Sequence, residues 1–218
     1  VRPYEKTLGS ANSLFSYWIR KCKDQIKKGD LNTFKEHICR IIHDFDKIPI
    51  NSKEKPKVGV VGEILVKYHP TANNNVVKII EDEGGEAVVP GLLDFFTYGA
   101  YDLVYRYKHL AESAKNLVKG HLLIFYMESL RMIATKALEQ SKRFSSPISI
   151  FELAKKTKKI MQLGNHTGEG WLLTGEMIEL IGMGASNIIC MQPFACLPNH
   201  IVGKGMIKEI KKNYPNAN

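Results

Sequence analysis

Apolar residues recur at three- and four-residue spacing through residues 10–46. Leu14, Phe15, Trp18, Ile19, Cys22 and Ile26 make one such series, and Phe34, Ile38, Ile41, Ile42 and Phe45 a second. This is the period of amphipathic helices, so two are expected. Gly29-Asp30 ends the first, and Asp30 or Asn32 can cap the second. A polar connector with Pro49 and Pro56 follows, and the pattern then changes to alternating strands and helices. Lys57-Val-Gly-Val-Val reads as a buried strand and residues 62–70 as an irregular loop. Residues 73–83 form a helix, capped near Asn75 and stopped by Gly84-Gly85. Glu86-Ala-Val-Val-Pro is the next strand. Such a unit predicts a right-handed crossover and a parallel sheet.

Residues 92–162 read as almost wholly helical. One helix is expected over 101–119, another over 121–140, and a third over 149–162 after the break at Phe144-Ser-Ser-Pro. A Gly-rich loop covers residues 163–170. Residues 171–182 make a helix that feeds a short apolar strand at 187–190. That strand opens into a loop holding Cys190, Pro193, Cys196, Pro198 and His200, and the Gly203-Lys-Gly turn leads into a helix over 206–212. Helices between consecutive strands predict an α/β fold with a parallel sheet covered on both faces. The expected organisation is an N-terminal helical segment over residues 1–50 and an α/β domain over 51–218, with a helical insertion at about 92–162.

Charge changes this picture little. The net charge is +9, with 31 Lys and Arg against 22 Asp and Glu. The lysines are spread over residues 21–28, 53–57, 155–159 and 204–212, as solvated helix faces are. Such a surface suits an acidic partner or an anionic substrate such as a coenzyme A thioester. Nucleic acid is not expected as a partner, because aromatic residues are not interleaved with the lysines as stacking requires. No apolar run approaches the ~20 residues of a membrane span, and no secretory signal is visible. Four cysteines are too few for a disulfide scaffold, so a reducing, cytoplasmic compartment is expected, with thiols free or metal-bound. Cys22 and Cys39, on the first two helices, read as small buried thiols. Val1 at the start and the polar end after Lys212 suggest a part of a larger protein, stopping before a further strand.

Three loops, 62–75, 90–100 and 191–204, converge at one sheet edge if the strands are parallel, and open α/β sheets take their ligands there. Cys196 is the first candidate. It lies between Pro193 and Pro198 and before a helix start expected near Gly203, where thiolate is favoured over thiol. It could hold a metal or cluster, or act as a nucleophile with His200 as base. Cys190, six positions earlier, is a second candidate ligand, although it closes an apolar strand and C-x5-C is not the tight clip of zinc sites. Gly62 and Glu63 end the first strand. In the Gly-rich loop, His166, Gly168, Glu169 and Gly170 precede a helix whose amides suit an anion. With Lys204, these residues could also dock coenzyme A phosphates.

Three stretches carry a family resemblance: Cys190-Met-Gln-Pro-Phe-Ala-Cys-Leu-Pro-Asn-His-Ile-Val-Gly-Lys-Gly, Asn165-His-Thr-Gly-Glu-Gly-Trp-Leu-Leu-Thr-Gly-Glu-Met, and Val58-Gly-Val-Val-Gly-Glu-Ile-Leu-Val-Lys-Tyr-His-Pro. Together the chain resembles the carboxyl-terminal region of acyl-CoA dehydratase activase-related proteins. That region is similar to the iron–sulfur subunits of 2-hydroxyacyl-CoA dehydratases and benzoyl-CoA reductases, and to the double-cubane cluster proteins. The resemblance implies a Rossmann-like (flavodoxin-like) three-layer fold and [4Fe–4S] clusters held between two such halves. It implies low-potential electron transfer driven by an ATPase activase, with the remaining halves of the parent protein and acyl-CoA as further partners. It maps a cluster ligand onto Cys196. The family's other ligand cysteines and the phosphate loops of the activase have no equivalent here, so the fragment alone is expected to hold no intact cluster and to lack catalysis of its own.

Overall fold

Asp30 shows how the first two helices form. Its carboxylate accepts hydrogen bonds from the amides of Asn32 (3.1 Å) and Thr33 (3.0 Å), while Gly29 turns the chain with φ +66°. The computed structural model describes all 218 residues, and the chain divides into two compact units, Val1–Glu54 with Tyr126–Pro147, and Lys55–Phe125 with Ile148–Asn218.

The first unit holds α1 (Ser10–Lys28) and α2 (Leu31–Lys47). Glu5 caps the start of α1, accepting from the amides of Gly9 (2.6 Å) and Ala11 (2.7 Å). Trp18 is buried and donates its indole N–H to Asp44 at 3.1 Å. Ala11 is buried too and Leu14 half-buried, whereas Phe15, Ile19 and Ile26 are exposed. Cys22 is half-buried and Cys39 exposed, rather than buried as expected; α2 has no fully buried residue. Residues 126–147, expected within an insertion of the sheet domain, belong here. Ser141 donates to Asp46 (2.9 Å), and Arg143 donates to the carbonyls of Phe45 (2.9 Å) and Ile48 (2.8 Å).

The second unit is mixed α/β and carries a three-stranded parallel sheet in the order β2-β1-β3. Its elements begin with β1 (Lys57–Gly62), α3 (Ile64–Tyr68), α4 (Val76–Asp82) and β2 (Glu86–Val88). Then come α5 (Leu92–His109) and α6 (Ala114–Leu138), whose second half counts with the first unit. The remainder is α7 (Ile150–Thr157), α8 (Trp171–Gly182), β3 (Asn187–Met191), α9 (Leu197–Val202) and α10 (Ile207–Asn213). β1 is central, and Val60 and Val61 are fully buried. Val60 packs with Val76 and Ile80 of α4. A Cβ at Gly59, on the opposite face, would meet Leu180 of α8 at 2.8 Å, so that helix lies close on the other side of the strand. On the outer side of β3, the Asn218 amide donates to Ser186 O and the Ile188 amide to Asn218 O, both at 2.8 Å, the alternation of a parallel partner.

Three expectations move. The irregular loop after β1 contains α3, because the Glu63 carboxylate accepts from the Val66 amide at 2.9 Å and caps a short helix. The break before α6 falls at residues 110–113, with Ala111 at φ +54°, and not at Gly120. Gly120 sits inside α6 because α5 crosses it closely: a Cβ there would lie 2.8 Å from both Ala100 O and Val104 Cγ2. The loop after β3 contains α9, so the helix start lies beside Cys196 and not at Gly203.

Candidate functional site

The backbone closes tightly where β1 and β3 end. Gly62 has φ +141°, and a Cβ there would be 1.8 Å from Met191 O, so only glycine fits. The Glu63 amide donates to that same carbonyl at 2.9 Å. One residue later, the Ile64 amide donates to buried Glu169 at 3.0 Å. Gly168 lies against Pro198, and Tyr68 donates to Pro90 O at 2.6 Å. The rim thus joins the start of α3, the Gly-rich loop, the loop after β2 and the loop after β3. Gly62, Glu63, Gly168 and Glu169 are all part of it, as structural joints.

Cys196 is half-buried at the N-cap of α9. Asn199, fully buried, donates its Nδ2 to the sulfur at 3.2 Å, and its Oδ1 has no partner. His200 points its Nδ1 at the Cys196 carbonyl oxygen (3.0 Å), not at the thiol, so the pair a cysteine nucleophile needs is not formed. Phe194 is wholly exposed and Ala195 takes φ +60°, which lifts this loop outward. Cys190 differs. A Cβ at Gly203 would touch its sulfur at 3.0 Å, and it lines a cavity of about 200 Å³ with Met177, Ile181, Ile188, Ile207 and Ile210. Burial pushes its thiol up to about 11, and the Glu176 charge adds to this. That apolar setting does not suit a ligand thiolate. Lys204 is exposed.

The amides at the end of the Gly-rich loop and the start of α8 are spent locally. Those of Gly170, Trp171, Leu172 and Leu173 donate to the carbonyls of Thr167, Asn165, Glu169 and Gly170, at 2.7 to 3.2 Å. The anion cradle expected there is therefore occupied by the loop's own carbonyls. Gly170 is required by packing, since a Cβ would lie 2.3 Å from the Tyr98 hydroxyl. His166 fastens the loop to α5: its Nδ1 lies 2.8 Å from Asp102 Oδ1. Its carbonyl accepts from Tyr98 at 2.7 Å. Burial raises the Asp102 carboxyl, and His166 and Arg106 partly offset that rise.

Beneath the rim lies a pair that sequence reasoning missed. Lys67 Nζ is 2.6 Å from Glu176 Oε1, each side chain only 2% exposed. Lys67 also sits 4.9 Å from the Tyr68 ring centre. Burial pushes the Glu176 carboxyl up to about 7, Lys67 pulls it down, and Asp94 and Glu179 add to the rise. The available signal was a glutamate among the apolar residues Leu172, Leu173, Met177 and Ile178.

The site offers no completed metal centre, since no three of His, Cys, Asp and Glu are grouped to hold an ion. Scans against protein-family models, curated proteins and solved structures found no match to this chain. No helix is long and apolar enough to cross a membrane.

Proposed function

We propose that this chain is a domain of an iron–sulfur protein related to the 2-hydroxyacyl-CoA dehydratases or their ATP-dependent activator. In this reading Cys196 supplies one ligand to a cluster whose other ligands come from the remaining halves of a parent protein. The single observation that carries it is the Cys196 thiol, half-buried at the carboxyl rim of a parallel sheet and held there by Asn199 Nδ2 at 3.2 Å. The finer fold reading is a Rossmann-like three-layer domain. It is supported by the contacts of β1 with α4 at Val60 and α8 at Gly59, and by the parallel partner that Asn218 gives β3. A cluster needs about four thiolates, and the residues present fit one of them. Asn199 would orient the sulfur, and Glu169 and Glu63 would fix the loops around it. A cytoplasmic setting, an ATPase activase and an acyl-CoA substrate belong to the same proposal. The coenzyme A reading has less support, because the amides it needs are engaged.

The test is transfer from a synthetic thiolate-capped [4Fe–4S] cluster under exclusion of oxygen. The chain is expected to take up iron and sulfide by exchanging one external thiolate, and Cys196→Ser to lose that uptake. With iron and sulfide alone it should stay colourless. A stoichiometric cluster in the monomer without external thiolate, or uptake unchanged in Cys196→Ser, overturns the reading.

A further inference from the structure

Cys196 stands at the N-cap of α9, so Leu197, Pro198 and Asn199 are the first three helical residues. An N-cap side chain ordinarily takes a backbone N–H from the second or third of these. Pro198, the second, has none to give, and no backbone N–H caps through the sulfur. Asn199 supplies the missing donor from its side chain, Nδ2 to Sγ at 3.2 Å. Its orientation follows from the backbone. A polar side chain at the third position commonly reaches back to accept from the N-cap amide. Here the Cys196 amide is already given to Pro193 O at 3.3 Å, so Oδ1 finds no donor and Nδ2 is left facing the sulfur. The donor is held in place: Asn199 is fully buried, and its own carbonyl accepts from the Gly203 amide at 2.9 Å. A buried oxygen without a partner costs stability, and the end of the amide that is used points at a sulfur only half-buried. A thiol has a hydrogen to donate and would suit Oδ1 equally well. A sulfur bound to a metal has lost that hydrogen and can only accept.

We propose that Asn199 raises the reduction potential of the cluster bound through Cys196, by way of this one side-chain hydrogen bond; the inference rests on the Cys196 reading above. Asn199 is a positioning residue, since it touches the ligand sulfur and neither iron nor substrate. One-electron reduction adds a negative charge, part of which the ligand sulfurs carry. An N–H aimed at such a sulfur stabilises the reduced state more than the oxidised one. Losing that N–H therefore lowers the potential. Because α9 gives the sulfur no backbone N–H, one side chain of this chain carries the whole effect at Cys196.

The experiment loads the intact chain from a synthetic thiolate-capped [4Fe–4S] cluster without oxygen and reads the potential by a redox titration followed by electron paramagnetic resonance. Leucine shares the branching of asparagine but neither donates nor accepts, so Asn199→Leu removes the bond and the unpartnered oxygen together. Circular dichroism verifies its fold. The variant is expected to take up as much iron and sulfide as the wild type. At the same applied potential its ratio of reduced to oxidised cluster should be about tenfold lower, a shift of ~59 mV for one electron. A second measurement needs no variant. In the wild type made with asparagine labelled at its side-chain nitrogen, pulsed resonance on the reduced cluster should show one amide nitrogen coupled across the bond. A folded, loaded Asn199→Leu with the wild-type potential, or no coupled amide nitrogen in the wild type, overturns the proposal. A folded Asn199→Leu that takes up no cluster assigns Asn199 to placing the sulfur alone, and overturns it too. No uptake by the wild type overturns the Cys196 reading itself, and this inference with it.

Discussion

At the scale of single residues, Lys67 and Glu176 make the sharpest demand on the fold. Two ionisable groups withdrawn from water need each other, and removing one leaves the other's polar atoms without a partner in hydrocarbon. Lys67→Met is expected to cost about 3–5 kcal/mol, read as a fall in the urea midpoint. Adding Glu176→Leu to it should recover most of that loss, because a matched apolar pair often replaces a buried ion pair without penalty. The same pair sets a pH dependence. In the fold the Glu176 carboxyl keeps its proton up to about 7, above its ordinary value of 4.5. A carboxyl raised in this way adds stability that is complete below the ordinary value and is lost as pH rises through about 7. Unfolding free energies measured across that window should decline in the wild type, and Glu176→Gln should flatten the decline. An unchanged slope in that variant would move the effect to another group. Glu176 also marks a limit of reading patterns. A glutamate among Leu172, Leu173, Met177 and Ile178 suggests a helix with one wet side, whereas the partner that keeps it buried lies on α3, 109 positions away.

Among the elements, most of the strands and helices follow from periodicity and capping alone. α8 lies where Trp171 and Gly182 place it, and α1 and α2 meet at Gly29-Asp30 as the turn chemistry requires. Gly120 misled for a physical reason. Glycine commonly punctuates helices, but here it is small so that two helices can touch. Gly120→Ala therefore sets helix propensity, which favours alanine by up to about 1 kcal/mol, against overpacking on the α5 backbone. Overpacking costs about 1–3 kcal/mol, so the net change in thermal unfolding is expected to be destabilising. α3 and α9 were missed because both are helices of about one turn to one and a half, too short for a periodic pattern. Their caps, Glu63 and Cys196, are readable only once the neighbouring strands are in place. Of the candidate site residues, Gly62, Glu63, Gly168 and Glu169 do meet at the rim. His166 instead ties the Gly-rich loop to α5, and Lys204 stays in solvent.

For the molecule as a whole, the alternation of strands and helices made the parallel sheet legible, and the strand order β2-β1-β3 puts the two longer strands side by side at the rim. The grouping of residues 126–147 with the first unit was not legible. It depends on Arg143 reaching two carbonyls of residues 45 and 48, which no local pattern encodes.

The carbonyl of Met191 has a last mechanical implication. Held by the Glu63 amide and pressed by Gly62, it works as a rivet between two strands. The exposed turn from Pro193 to Ala195 lies beyond that rivet, whereas Cys196 belongs to the anchored start of α9, where fully buried Asn199 holds its sulfur. A change in the exposed turn therefore leaves the sulfur where it is.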